Sequence, residues 1–118
     1  MKQINDNNFG EAIRQARKPV VIKFYNPKCH LCEGIKPVFE SVSSKFGDVY
    51  DFMDCNVWES RKLAKFFNVD GVPQLYVIYN NTKTIIPFPE NSDLKTGYSL
   101  TDIVDFLDTF NNIHVRIK

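Results

Sequence analysis

An α/β fold, with a mixed sheet covered by helices on both faces, is what this sequence predicts, and three observations carry the prediction. Strand-like and helix-like runs alternate along the 118 residues with no linker, low-complexity tract or internal repeat, which describes one domain over residues 1–118. The run "PVVIKFY" is apolar on both faces apart from Lys23, as expected of a central strand sandwiched by helices. Two later runs, "PQLYVIYN" and "TKTIIPF", keep period two across an Asn-Asn turn and read as a hairpin. Parallel crossovers in such a sheet are right-handed.

In chain order, Asn7 or Asn8 caps a first helix that runs to about Arg17, in which Phe9, Ile13 and Ala16 fall near helical spacing. "PVVIKFY" follows as the first strand. From Cys29 to about Phe46, Ile35, Val38, Phe39 and Val42 recur at helical spacing around Pro37, which removes a backbone donor and kinks the helix. "DVYDFMDCNV" is the second strand, and "SRKLAKFFNV" a short helix capped by Ser60. After the hairpin, Ile103, Val104, Phe106, Leu107 and Phe110 give a last helix, from about Leu100, an apolar face. Phe24, Phe39, Phe66, Phe67 and Phe106 read as core, Trp58 as half-exposed, and "PENSDLK" as a solvated loop. The final "NIHVRIK" alternates in a way that fits a short strand or a tail.

Composition narrows the function. With 43% hydrophobic residues, ten Phe and five Tyr, the chain can build a core without a staple or a metal. A net charge of +1, with acids and bases interspersed, leaves no electrostatic footprint for nucleic acid or an anionic membrane. The polar N-terminus and the lack of any long apolar run predict no membrane span and a reducing cytosol, although a chain trimmed of its leader would read the same. Three cysteines are an odd number, which argues against a disulfide framework and for one thiol pair plus a bystander.

That pair is Cys29 and Cys32 in "NPKCHLCEGIKP", at the junction of the first strand and the second helix. The first N–H groups of a helix lack internal partners, so a thiolate at Cys29 gains from them and from the helix dipole. Lys28 and His30 beside it add to the effect. One pKa unit of depression is about 1.4 kcal/mol, so a few modest contributions make Cys29 reactive near neutral pH. Cys32, one turn further in, is more buried. An outer thiolate that attacks a disulfide and an inner thiol that resolves the intermediate suit this asymmetry. Zinc would need further ligands, and the remaining candidates are ill placed: Cys55 lies in an apolar strand, His114 near the C-terminus. No metal and no cofactor beyond the Cys29–Cys32 pair is expected.

"VVIKFYNPKCHLC" resembles the active-site strand and motif of the thioredoxin superfamily. Its FY-x-P-x-C-x-x-C pattern is nearer to the catalytic domains of protein disulfide isomerases than to thioredoxin itself. "VDGVPQLYVIY" is similar to the segment holding that family's cis-proline, which makes Pro73 the candidate. "LKTGYSLTDIVDFL" resembles the isomerases' glycine and last helix. The resemblance implies the thioredoxin fold and a loop in which the Val72 backbone, beside Pro73, pairs with an extended substrate. It also exposes departures. Lys23 stands where the family usually buries an Asp or Glu that relays a proton to the inner cysteine. Lys28 replaces an aromatic residue, Leu31 a histidine, and Tyr98 stands near the place of an arginine. Three states are open to Lys23: a charged, unpaired amine that stabilises thiolates, a neutral amine that accepts the Cys32 proton, or a stem whose amine reaches solvent.

The leading function is a thiol–disulfide oxidoreductase on protein disulfides, with Cys29 as nucleophile, Cys32 as resolving thiol, and Lys23, Lys28 and His30 modulating them. The alternative is a binding module that uses the same fold and Pro73 loop, with little or no redox activity. The expected partners are proteins bearing disulfides or thiols, together with a reductase or small thiol, and the chain is expected to act as a monomer.

Overall fold

The computed structural model describes residues 1–88 and 97–116. Its elements are β1 (Lys2–Ile4), α1 (Phe9–Gln15), β2 (Val20–Tyr25), α2 (His30–Phe46), β3 (Asp51–Asn56), α3 (Arg61–Phe66), β4 (Gln74–Tyr79), β5 (Thr82–Ile86) and α4 (Leu100–Phe110), which continues as a π-helical turn, Asn111–Val115. The five strands form one mixed sheet in the order β1-β3-β2-β4-β5. β1 and β2 run parallel to β3, and β4 runs antiparallel to both β2 and β5.

Alternation along β2 divides the core. Val20, Ile22 and Phe24 pack toward α1 and α3 with Ala12, Leu63, Phe67 and Tyr76. Val21 packs toward α2 and α4 with Ile35, Phe39, Val42, Ile103 and Leu107. Each fully buried side chain of this size contributes roughly 1.5–3 kcal/mol. Buried tyrosines tie the layers together, since Tyr50 donates to the Leu107 carbonyl at 2.6 Å and Tyr76 to that of Phe67 at 2.6 Å. The β4–β5 turn places Asn80 and Asn81 at φ 52° and 62°, the left-handed conformation that asparagine tolerates and a two-residue hairpin requires.

Several local expectations are corrected. β1, three residues at the sheet edge, is an element that hydrophobic periodicity does not reveal. α1 stops at Gln15, and its N-cap residue Asn8 makes no side-chain capping bond; the Asn8 oxygen accepts instead from the Asn5 amide at 2.8 Å. Ser60 occupies the N-cap of α3 but likewise does not cap it. The Asp6 carboxylate takes that role from a distant part of the chain, accepting from the amides of Lys62 (3.2 Å) and Leu63 (2.8 Å). Phe66 is not core: it is 56% exposed whereas Phe67 is 2% exposed, because neighbouring helical positions point about 100° apart. The C-terminal residues form neither a strand nor a loose tail up to Arg116. With no glycine or proline after Phe110 to stop it, α4 continues into the π-helical turn, whose Val115 packs on the core. The segment "PENSDLK" lies outside the described residues.

Candidate active site

β2 delivers the chain to the site through a tight turn. The Asn26 side chain accepts from the Lys28 amide at 2.9 Å, and its carbonyl from the Cys29 amide at 3.2 Å. This fixes Cys29 as the N-cap of α2, with an extended backbone at φ −81° and ψ 119°. The Cys29 sulfur accepts from the backbone N–H of Cys32 at 3.1 Å, so one orphan donor of the helix start points at the sulfur. Cys29 and Cys32 are joined by a disulfide, with Cα atoms 5.1 Å apart. Cys29 is partly exposed and Cys32 only 3% exposed. The outer sulfur is accessible and the inner one is covered.

The loop before β4 meets this pair from the other side. The Val72–Pro73 peptide bond is cis, and the Val72 carbonyl oxygen lies 3.6 Å from Cys29 Sγ. A hollow of about 350 Å³, lined by Asn26, Val57, Trp58, Arg61, Asp70 and Val72 among others, adjoins the loop. Trp58 is 51% exposed there. Across the site, Gly97 has φ +75°, and a Cβ on it would stand 2.7 Å from the Phe88 ring and 3.9 Å from Leu31. Only glycine allows that approach. Tyr98 follows it, fully buried, its hydroxyl donating to the Ile86 carbonyl at 2.9 Å. Burial pushes its pKa up to about 12, so Tyr98 remains a neutral donor and does not supply an arginine's charge.

Of the residues flanking the pair, Lys28 and His30 are exposed, and among the described residues neither side chain is hydrogen-bonded to Cys29. Lys23 differs from expectation. Its amine neither reaches solvent nor stands alone: the side chain is 6% exposed, and Nζ lies 3.3 Å from Oδ1 of Asp54, itself 14% exposed. The two residues are register partners on β2 and β3. Gln3 donates to the other Asp54 oxygen at 3.3 Å, and the Lys23 amine stands 5.0 Å from the Phe39 ring and 5.5 Å from that of Tyr25. Burial holds the Asp54 carboxyl above its ordinary range, against the pull of Lys23. The pair borders an open cleft of about 680 Å³ whose lining also includes Gln3, Tyr25, Lys36 and Glu40.

Sequence alone does not single out Asp54 as a site residue. Its signal is present, since "VVIKFY" carries a lysine inside a buried strand and "DFMDCN" carries, beyond Asp51 at its start, an aspartate between its two buried residues Met53 and Cys55, and opposite charges in neighbouring strands ask to be paired. Cys55 is the remaining free cysteine; it is fully buried on the opposite face of β3, and burial pushes its thiol up. Among the described residues no cluster of three His, Cys, Asp or Glu could hold a metal ion, and no helix is long and apolar enough to cross a membrane.

The geometry agrees with the comparisons to known proteins. The family model described as Thioredoxin matches residues 1–108. A probable protein disulfide-isomerase A6 of Medicago sativa is 27% identical over 107 residues, 89% of this chain and 28% of that protein. The protein disulfide-isomerase tigA of Aspergillus niger is 25% identical over 112 residues, 92% of this chain and 30% of that protein. The M-type chloroplastic thioredoxin of Chlamydomonas reinhardtii is 25% identical over 80 residues, 68% of this chain and 57% of that protein. The chain thus spans between about a quarter and somewhat over half of these relatives. With its mixed sheet flanked by helices and a Cys29–Cys32 disulfide that supports a redox-active dithiol/disulfide site, this chain belongs to the thioredoxin family.

Proposed function

We propose that the protein is a thiol–disulfide oxidoreductase acting on protein disulfides, with Cys29 as the attacking thiolate and Cys32 as the resolving thiol. The observation that carries this reading is the N-cap position of Cys29, whose sulfur receives the Cys32 N–H at 3.1 Å while Cys32 itself is buried. A hydrogen bond to the sulfur and the positive end of a 17-residue helix both favour the anion over the thiol.

In the reducing direction, Cys29 thiolate attacks one sulfur of a substrate disulfide. A mixed disulfide forms and one substrate thiolate leaves. Cys32, having lost its proton, then attacks Cys29 Sγ, closing the Cys29–Cys32 bond and expelling the second substrate thiolate. Two electrons pass from the dithiol to the substrate, and the two thiol protons go to the departing thiolates through solvent. The oxidising direction is the reverse. The Val72 carbonyl, 3.6 Å from Cys29 Sγ, supports a reading in which the Val72 backbone beside Pro73 holds an extended substrate segment next to Cys29, with contacts that are mainly main-chain and therefore tolerant of sequence. Lys28 acts on the thiolate through its charge in solvent, and His30 from the exposed first position of α2, neither of them by contact.

The experiment is a trap. A Cys32→Ser variant should accumulate mixed disulfides with a disulfide-bearing protein such as insulin, whereas Cys29→Ser should accumulate almost none. Equal trapping by the two variants reverses the assignment. Failure of the native chain to accelerate insulin reduction by dithiothreitol would favour a binding module instead.

A further inference from the structure

The charge pair beneath α2 takes no part in the exchange between Cys29, Cys32 and substrate, yet it is the only ion pair of the described residues whose two side chains are both largely buried, at 6% and 14% exposure. A buried ammonium is costly unless an acid compensates it, and Asp54 stands 3.3 Å away to do so. The amine lies against Phe39, which shares the inward face of α2 with Ile35 and Cys32. Cys32 is seven residues from Phe39 along that helix, about 10 Å at ~1.5 Å per residue. The amine thus stands one ring from the buried face of α2 that carries Cys32, where a unit charge is screened less than in water. The other charged or titratable groups facing the pair are Tyr25 from β2, Lys36 and Glu40 from α2, and the Met1 amine. Lys36 is already bound to Glu33 at 3.1 Å. Asp54 therefore decides whether the Lys23 charge is compensated.

We propose that Asp54 is a positioning residue for thiol–disulfide exchange: by compensating Lys23 beneath α2, it keeps the Cys29–Cys32 disulfide a weaker oxidant than the amine alone would make it. The inference rests on the reading of Cys29 and Cys32 as an interconverting pair. Reduction turns one disulfide into two thiols with two electrons and two protons, and the ionised fraction of those thiols is stabilised by positive charge nearby. An uncompensated Lys23 favours the dithiol, and a compensated one does not. The raised Asp54 carboxyl limits the effect, because its protonation on acidification releases Lys23 from compensation and makes the disulfide the stronger oxidant.

The test is equilibration with glutathione, in which the protein disulfide and two glutathione thiols give the protein dithiol and one glutathione disulfide. Alkylation and mass measurement count the free thiols. Asp54→Asn should raise the equilibrium constant for reduction about tenfold, or about 30 mV for two electrons. Lys23→Met should lower it, and Lys23→Met/Asp54→Leu should return it to within about twofold of the native chain. An unshifted constant in folded Asp54→Asn overturns the proposal. If Asp54→Asn does not fold, the comparison passes to Lys23→Met and the double variant, and equal constants for those two overturn it. A chain that equilibrates with glutathione but does not reduce insulin sinks the assigned activity and leaves this inference standing.

Discussion

Beneath α1 and α3 the sheet buries Ile4, Val20, Ile22, Phe24 and Met53 against an aromatic cluster, whereas beneath α2 and α4 the same central strands present Lys23 and Asp54 beside an open cleft. The rings of Phe24, Phe67 and Tyr76 lie with centroids 5.0, 5.1 and 5.7 Å apart, filling the first face with no ionised group. The second face is equally well packed away from the site, around Val21, Phe39, Val42 and Leu107, but its charged end borders the cleft. Alternation along β2 and β3 thus gives one parity of residues to stability and the other to the environment of Cys32.

The largest effect that tests this division should come from the aromatic cluster. Phe67→Ala should cost about 3–5 kcal/mol in urea unfolding, while Phe66→Ala, on the exposed neighbour, should cost under about 1 kcal/mol. Neither should move the glutathione equilibrium of the cysteine pair, and a shift in Phe67→Ala would join the two faces functionally. Next comes the ion pair. Asp54→Leu leaves a buried ammonium and should cost about 2–3 kcal/mol, and adding Lys23→Met should restore most of it. Its pH dependence has a definite sign. Because burial raises the folded Asp54 pKa above its ordinary value of 3.8, the stability that this carboxyl contributes is complete below that value and declines as pH rises through the folded pKa. The stability gap between the native chain and Asp54→Asn should therefore narrow from pH 4 to pH 7 in urea titrations; a widening gap refutes the raised carboxyl. The smallest effect belongs to Cys55, buried on the aromatic face with a thiol pushed up by burial. Cys55→Ala should cost about 1 kcal/mol and leave insulin reduction within about twofold.

What could be read from sequence follows from how local each feature is. α2, α4 and the β4–β5 hairpin carry their own periodicity and turn residues, so their positions are legible from Ile35, Phe39 and Val42, from Ile103 and Leu107, and from Asn80-Asn81. The cysteine pair is equally local, because two residues separated by one helical turn at a strand end can be seen without the rest of the fold. β1 has only three residues, too few to show a period. Lys23 is visible as an anomaly in its strand, but its partner depends on β2–β3 register, and a slip of one residue would turn Asp54 to the other face. Phe66 and Phe67 are consecutive and equally apolar, and only the docking of α3 decides which one is buried. The cap of α3 misled for a related reason, since Ser60 holds the expected position while the bond comes from Asp6.

That bond has a consequence in time. α3 is six residues long, too short to persist alone, and the donors of its first turn are met by Asp6, 56 and 57 residues earlier in the chain. The helix gains its cap only after the segment following β1 has reached it, so α3 is expected to form late in folding, with φ-values near zero for substitutions in it. In the native state the two segments should open together: the amides of Lys62 and Leu63 exchange with solvent at the pace at which the N-terminal segment lifts from the sheet, and a ligand or truncation that loosens β1 is felt in α3 first.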